Sequence, residues 1–315
     1  MSFTPQSASG PGHVPGPAPD PTGRTDPTGR ADGQPRQAIV FEGASVSVED
    51  MDPATSRLRT RTLLCELNLS LTQQRISIIG ANGSCKSTLL QLINGLTAPS
   101  TGRVRLGELD TVRDGAAVRR QVGFVFSDPA AQLVMPTPVE DVELSLKRRI
   151  RDRRARRQAA LESLAEFGVA DLAERSIYEL SSGQRQLVAL ASVLAVSPSV
   201  LILDEPTTLL DLANCELLRA TLDDLAARRG VQIIASTHDL DFAGDAERTL
   251  VLDEGRIVAD SAPPEAVAAY RQRIAEAVAY ARHHPGGGSQ PGGSQRGSAQ
   301  PGDSSRRGAA GERQA

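Results

Sequence analysis

The sequence predicts an α/β protein with a mostly parallel core sheet, an antiparallel N-terminal ribbon and an inserted helical subdomain. Three observations predict it. A mostly apolar run, Ile76 to Ile79, leads through a Gly-rich turn into a helical run, Leu89 to Ile93. From Val200 onward, short apolar runs alternate with stretches of helical periodicity, the pattern of parallel strands covered by helices. Between these parts, from Asp128 to about Ser181, the apolar period is helical throughout, so a helical block interrupts the sheet.

Composition bounds the ordered part. The chain has 315 residues and a net charge of −3, so the chain as a whole is not a polyanion binder. Residues 1–37 and 283–315 are dominated by small, polar and Pro residues; the first holds a near repeat, Asp20 to Arg24 and Asp26 to Arg30. Neither can bury enough apolar surface to offset its ordering entropy, so both are expected to be disordered tails. Residues 38–265 then form the ordered domain, with the helical subdomain at about 128–181, and residues 266–282 form a C-terminal helix. Cys65, Cys85 and Cys215 show no metal spacing and no even-numbered framework, which points to a reducing compartment. No signal peptide and no membrane span is expected, because Pro and Gly occupy the N-terminus and the longest apolar region is broken by Ser197, Pro198 and Ser199. Trp is absent and aromatic residues make up 3%, which argues against a base-stacking nucleic-acid surface.

In chain order, Ile39 to Phe41 and Ala44 to Val48 read as strands of the antiparallel ribbon. Residues 49–61 are polar and broken by Pro53, so a loop is expected there. Leu63 to Leu71 largely alternates and leads to the strand before the Gly-rich turn. Gly95 and Pro99 end the following helix. Val104 to Leu106 and Val122 to Phe126 read as strands. Val139 to Ile150 and Arg154 to Phe167 carry apolar residues three and four apart, the spacing of helices. Leu180 to Ala195 is a helix, Val200 to Leu203 a strand, Asp211 to Arg228 a helix and Val231 to Ser236 a strand. A short helix follows Asp239. Leu250 to Asp253 and Arg256 to Ala259 form a hairpin around Glu254-Gly255, and Pro264 to Ala281 is the C-terminal helix, ahead of the tail.

The Gly-rich turn carries the clearest chemistry. Gly80-Ala81-Asn82-Gly83-Ser84-Cys85-Lys86-Ser87-Thr88 lies between a strand and a helix, so its backbone N–H groups suit phosphate oxygens. Lys86 supplies a full charge for the terminal phosphates, and the Ser87 hydroxyl is placed to ligate Mg2+. Val200 to Leu203 runs into Asp204-Glu205 at the end of a strand that faces a ligand in such sheets. Asp204 suits a Mg2+ shell and Glu205 a water proton. A lone Asp-Glu would be a solvated turn; the phosphate loop upstream changes that reading. Leu180-Ser181-Ser182-Gly183-Gln184 opens a helix and suits an anion, although alone it is an ordinary N-cap. His238 follows the strand from Val231 and can contact a terminal phosphate. Lys147 to Arg157 holds eight basic residues and one acid. It reads either as a solvated face or as a surface for acidic lipid or an acidic coupling segment.

In this order the phosphate loop, helical insertion, Leu-Ser-Ser-Gly-Gln, Ile-Leu-Asp-Glu-Pro and Thr-His-Asp motifs resemble an ABC-transporter ATPase, over nearly all of residues 38–265. The stretches Val122 to Thr137, Glu140-Asp141 and Pro206 to Asp211 resemble energy-coupling-factor importers, and among them the biotin branch. The resemblance implies ATP and Mg2+ as cofactors. It implies a head-to-tail pair of ATPase subunits, identical or mixed. In that pair ATP lies between the loop of one subunit and Ser181, Ser182, Gly183 and Gln184 of the other, with Asp211 near the boundary. It also implies an integral-membrane coupling protein, a substrate-binding membrane protein and a place on the cytoplasmic face of the membrane. The imported substrate would be a vitamin such as biotin or a transition-metal ion.

The sequence departs from that pattern at three positions. Cys85 replaces the glycine before the lysine, so it either crowds the turn or takes an unfavourable φ, at a cost on the order of 1–3 kcal/mol. Ser127 replaces a glutamine that senses Mg2+ and positions water, and Gln132 does not match that position. Ser182 replaces a signature glycine. The family's adenine-stacking aromatic would fall near Val48 to Asp50, where there is none. Two readings follow: an ATP-hydrolysing importer subunit, or a nucleotide-binding, weakly hydrolytic regulatory half of a mixed pair. Cys85, at a helix N-terminus beside Lys86, is expected to have a lowered thiol pKa and to alkylate readily.

Overall fold

A computed structural model describes residues 37–51 and 56–283. The tails expected to be disordered lie outside the described residues, apart from Gln37 and His283 at their inner ends. The chain divides into two compact units after Tyr270, and the first holds every element up to the start of the last helix.

The N-terminal third builds a ribbon and the phosphate loop. Strand β1 (Ile39–Met51) pairs antiparallel with β2 (Leu58–Leu71). After β3 (Arg75–Ile79) comes helix α1 (Lys86–Ile93), then β4 (Thr101–Leu106), β5 (Leu109–Asp110), α2 (Gly115–Gln121) and β6 (Val122–Val125). The inserted block contributes α3 (Pro138–Leu146) and α4 (Arg153–Glu166), joined to α5 (Ser182–Leu194). Strand β7 (Val200–Asp204), α6 (Leu212–Arg229), β8 (Gln232–Ser236), α7 (Leu240–Gly244), β9 (Arg248–Asp253) and β10 (Arg256–Ser261) follow. Helix α8 (Pro263–His283) starts in the first unit.

Two sheets result. One has the order β2-β1-β4-β5 and is antiparallel; the other runs β10-β9-β3-β8-β7-β6, with β10 the antiparallel edge. Strand period 2 explains how the second sheet serves two cores. Val200 and Ile202 of β7 face the antiparallel sheet with α1, while Leu201 and Leu203 face α5 and the helical block. All five residues of β7 are buried, as expected for a parallel strand covered on both faces. On α5, Leu187, Val188 and Leu190 are almost fully buried, each worth roughly 1.5–3 kcal/mol against exposure.

The helices start where their caps predict. Asp211 accepts the Asn214 N–H at 2.9 Å and opens α6, which ends at Gly230 with φ 63°. Asp152 caps α4 through the Ala155 N–H at 2.7 Å. Asp141 is buried in α3 and binds the Val134 N–H at 2.9 Å and the Ser192 hydroxyl at 2.8 Å, tying the inserted block to α5.

The ribbon corrects the sequence reading. Ile39 to Phe41 and Ala44 to Val48 are one strand, with register shifts between Phe41 and Ser47 in place of a break. The loop expected over residues 49–61 is largely strand, because β1 runs to Met51 and β2 begins at Leu58. These residues are exposed and mostly polar, so ladder hydrogen bonds hold them and no apolar alternation marks them. In β2, Leu64 and Leu67 are both buried although three apart, because a bulge falls between them. Helix α2 and strand β5 are further additions. Among the described residues no helix is long and apolar enough to cross a membrane.

Candidate active site

The loop after β3 is shaped by what it cannot contain. A side chain at Gly80 would place Cβ 2.1 Å from the Leu252 carbonyl oxygen of β9. The chain then turns, with the Ser84 N–H bonded to the Ala81 carbonyl at 3.2 Å. Gly83 and Cys85 both have positive φ, 80° and 74°, so the backbone changes hand on either side of Ser84, the geometry of a concave N–H nest. Cys85 therefore meets the strain the sequence anticipates: it is a left-handed residue with a Cβ, capping α1 with no side-chain hydrogen bond to the helix.

Lys86 begins α1 and turns back under the loop. It is buried, and its Nζ donates to the Gly80 carbonyl at 2.9 Å and the Ala81 carbonyl at 3.2 Å. Its third neighbour is Glu205 Oε1 at 3.5 Å. The ammonium is thus held at the loop by weak neutral acceptors and one carboxylate.

The ends of β7 and β8 supply the opposite wall. Glu205 has φ 52°, a second non-glycine residue in the left-handed region. Its N–H is fixed by the Ser236 carbonyl and hydroxyl, each at 3.1 Å. The Ser236 hydroxyl in turn donates to Asp204 Oδ1 at 2.6 Å, entirely within the core. The Glu205 carboxylate reaches His238 twice, at 3.0 Å from Nε2 and at 3.2 Å from the backbone N–H. Lys86, Glu205 and His238 so form one contiguous polar cluster across the site.

A cavity of about 380 Å³ opens between these walls. Asn82, Gly83, Cys85, Lys86, Ser87, Thr88, Glu205 and His238 line it. Gly80, Ser84 and Asp204 lie behind the surface, and Ser84 Oγ is buried without a hydrogen-bond partner. The cavity is also lined by Arg61 and Leu63 of β2, which sequence reasoning passed over, as it did Ser236. The alternation of β2 marks Leu63 only as a strand residue, and Arg61 fell within the expected loop.

The remaining candidates lie off this cavity. Ser181 caps α5 by a reciprocal capping box with Gln184: the Gln184 N–H reaches Ser181 Oγ at 3.2 Å and the Ser181 N–H reaches Gln184 Oε1 at 3.0 Å. Ser182 is exposed, and Gly183 sits where a Cβ would approach the Leu209 carbonyl at 3.0 Å. Asp211 caps α6. Ser127 is exposed beyond β6. Gln132 closes that strand, accepting from the Phe126 N–H at 3.1 Å and donating to the Phe124 carbonyl at 3.4 Å. Its amide is thus engaged with backbone. In the basic run, Arg156 and Arg157 pair with Glu143, while Lys147, Arg148, Arg149, Arg151, Arg153 and Arg154 are exposed.

The thiol of Cys85 corrects a second expectation. Burial pushes its pKa up, and the Arg61 guanidinium offsets this only in part. The side chain lies back toward the Gly83 carbonyl, 3.6 Å away, so desolvation outweighs the helix terminus and Lys86.

The cradle fits a nucleotide polyphosphate. It offers a buried ammonium whose present partners are mostly carbonyls, a concave N–H turn and two hydroxyls, Ser87 and Thr88, on the cavity surface. Comparison with known proteins agrees. Residues 64–208 match the ABC transporter family. A biotin transport ATP-binding protein, BioM, of Rhizobium etli is 43% identical over 235 residues, covering 74% of this chain and 98% of that protein. An energy-coupling factor transporter ATP-binding protein, EcfA2, of Methanospirillum hungatei is 38% identical over 63% of this chain and 52% of its own length. Among solved structures, CbiO1 from Clostridium perfringens, part of an ABC transporter complex, aligns with TM-score 0.60 and 28% identity over 76% of this chain and 94% of its own. A dimeric ATP-binding cassette in a post-hydrolysis state with ADP and phosphate aligns with TM-score 0.65 and 29% identity over 71% of this chain and 98% of its own. The Lys86–Glu205–His238 cluster, the phosphate cradle and a relative matched over almost its whole length lead to one assignment: the chain belongs to the ATP-binding proteins of ABC transporters and is an ATPase coupled to transport.

Proposed function

We propose that this chain is the ATP-hydrolysing subunit of an energy-coupling-factor importer, and that its substrate class is a vitamin such as biotin or a transition-metal ion. The observation that carries the catalytic part is the convergence of Lys86 and His238 on one Glu205 oxygen, at 3.5 and 3.0 Å. Lys86 binds the terminal phosphates, exchanging the carbonyls of Gly80 and Ala81 for anionic oxygens. Glu205 accepts the proton of the attacking water, and His238 orients that carboxylate and contacts the γ-phosphate. Gly80, Asn82, Gly83, Ser84 and Cys85 shape the N–H cradle, and Thr88 adds a hydroxyl. Ser87, with Asp204 through its solvent shell, would hold Mg2+, which neutralises charge on the transferred phosphoryl group.

Ser181, Ser182, Gly183 and Gln184, with Asp211, are assigned to the nucleotide of a second ATPase subunit, because they lie outside this chain's own cavity. Ser127 is assigned to the nucleotide site at the position where the family glutamine senses Mg2+ and positions water. Domain limits at 38–265, 266–282 and the two tails remain part of this reading. So do an integral-membrane coupling protein, a substrate-binding membrane protein, a peripheral position on the cytoplasmic face and the absence of a nucleic-acid partner. The biotin-transport relative favours the vitamin over the metal ion.

The purified chain with its membrane partner should hydrolyse ATP. Glu205→Gln should keep nucleotide binding while turnover falls roughly 10²–10⁴-fold. Normal turnover in that variant sinks the base assignment. Cys85 and Ser127 favour a second reading, a regulatory half of a mixed pair that binds nucleotide and hydrolyses it weakly. Binding without turnover when the chain is paired only with itself, and turnover when a second ATPase is supplied, would establish that reading instead.

A further inference from the structure

We infer that Arg61 and Leu63 of β2 form the subsite for the nucleobase, with the Arg61 guanidinium stacking on the purine and Leu63 as its apolar floor. This rests on the ATPase reading above, since it extends the same cavity. Once the phosphates are placed, part of the cavity lining is left over. Lys86 and His238 each lie within 3.5 Å of the Glu205 carboxylate and mark the terminal-phosphate end. Asn82, Gly83, Cys85, Ser87 and Thr88 surround the phosphate path. Arg61 and Leu63 are the lining residues that belong to neither group.

Their chemistry suits a base. Both side chains line the one cavity although a register shift falls at Leu63, while Leu64 turns into the core. Leu63 packs partly against that core. It is also fixed from behind: Gly255 lies so close that a Cβ there would be 2.0 Å from the Leu63 carbonyl, and the Cys65 N–H binds the Gly255 carbonyl at 2.9 Å. Arg61 is exposed, and its guanidinium has no ion pair with a described residue. It shares the cavity lining with Cys85 of the cradle. No Phe, Tyr or Trp lines the cavity, and the His238 ring is engaged by Glu205 at the phosphate end, so the planar Arg61 guanidinium is the group left to stack on a π-face.

The test uses the full-length protein and calorimetric binding of three probes: ATP, ADP and inorganic tripolyphosphate. Arg61→Ala should weaken ATP and ADP by about 5- to 100-fold, the range of a lost base stack, and leave tripolyphosphate unchanged. Arg61→Tyr should recover most of the loss, because it restores a stacking plane, while Arg61→Lys should not. Unchanged ATP affinity in Arg61→Ala overturns the inference. So does an equal loss for ATP and tripolyphosphate with rescue by Lys, which would place Arg61 on a phosphate. Both results leave the ATPase reading standing. Wild-type protein that binds neither ATP nor tripolyphosphate would remove that reading and this one together. Arg61 is exposed, so its variants leave the core intact.

Discussion

Replacing Cys85 by glycine separates backbone strain from side-chain obstruction. Cys85 sits at φ 74°, ψ 29°, where an L-residue loses roughly 1–2 kcal/mol to the contact between Cβ and the carbonyl oxygen. Glycine removes that term but enlarges the unfolded ensemble, at a cost of about 0.4–1 kcal/mol. The thiol contact to the Gly83 carbonyl is long, 3.6 Å, and adds little. The net gain expected is about 0.5–1 kcal/mol, which for a domain of this size raises Tm by roughly 1–4 °C. Cys85→Ala retains the strain and deletes the sulfur, so it should not share the gain. The loop has already reached its left-handed form with cysteine in place, so the N–H cradle is already formed. Turnover of Cys85→Gly should therefore stay close to wild type. Scanning calorimetry and a coupled ATPase assay on the three proteins measure both quantities. A large rise in turnover for Cys85→Gly would refute the reasoning, because it would show that the side chain itself obstructs catalysis and would favour the regulatory-half reading. A fall in Tm for Cys85→Gly relative to Cys85→Ala would refute the strain argument.

Ser236→Ala should destabilise the fold by about 1–3 kcal/mol, because a buried hydroxyl that donates to Asp204 is lost; thermal denaturation measures it, and turnover should fall as Glu205 loses one of its N–H restraints. Gly80→Ala should abolish nucleotide binding, since its Cβ would meet the Leu252 carbonyl at 2.1 Å and β9 or the loop must move; calorimetry with ATP that matches wild type would contradict this. With its thiol pKa raised above the ordinary value of 9.0, Cys85 should react slowly with iodoacetamide near neutrality and faster as pH rises through the alkaline range, where the thiolate forms. Bound Mg-ATP should slow it further, and equal labelling with and without Mg-ATP would place Cys85 outside the nucleotide cradle.

Much of the fold was legible because its signals are covalent or periodic. Gly80 and Gly83 mark a turn that admits no other backbone, and the uniformly apolar Val200 to Leu203 followed by Asp204-Glu205 marks a strand buried on both faces. The caps at Asp211 and Ser181 set the starts of α6 and α5 to within a residue or two. The outer ribbon was not legible. Glu49 to Met51 and Leu58 to Thr62 are paired to each other and to solvent, so no side-chain pattern records their pairing, and Pro53 suggested a wider break. Arg61 was missed for the same reason: one arginine in a polar strand carries no pattern until the fold sets it beside the cradle. The Cys85 thiol was misjudged because charge and helix terminus can be read from sequence, whereas desolvation depends on the packing of the loop.

Two non-glycine residues, Cys85 and Glu205, hold left-handed backbone at the same cavity, yet they stand differently toward mutation. At position 85 glycine relieves the backbone and removes no group assigned to the chemistry, so that route is open to drift without loss. At position 205 the same exchange would relieve the backbone and delete the carboxylate proposed as the proton acceptor. Stability and turnover are thus aligned at one residue and opposed at the other. Selection for robustness alone would erase Glu205 as readily as Cys85, and only selection for turnover separates them. Whether lineages carrying this chain keep Glu205 while position 85 wanders is therefore a record of whether they still hydrolyse ATP.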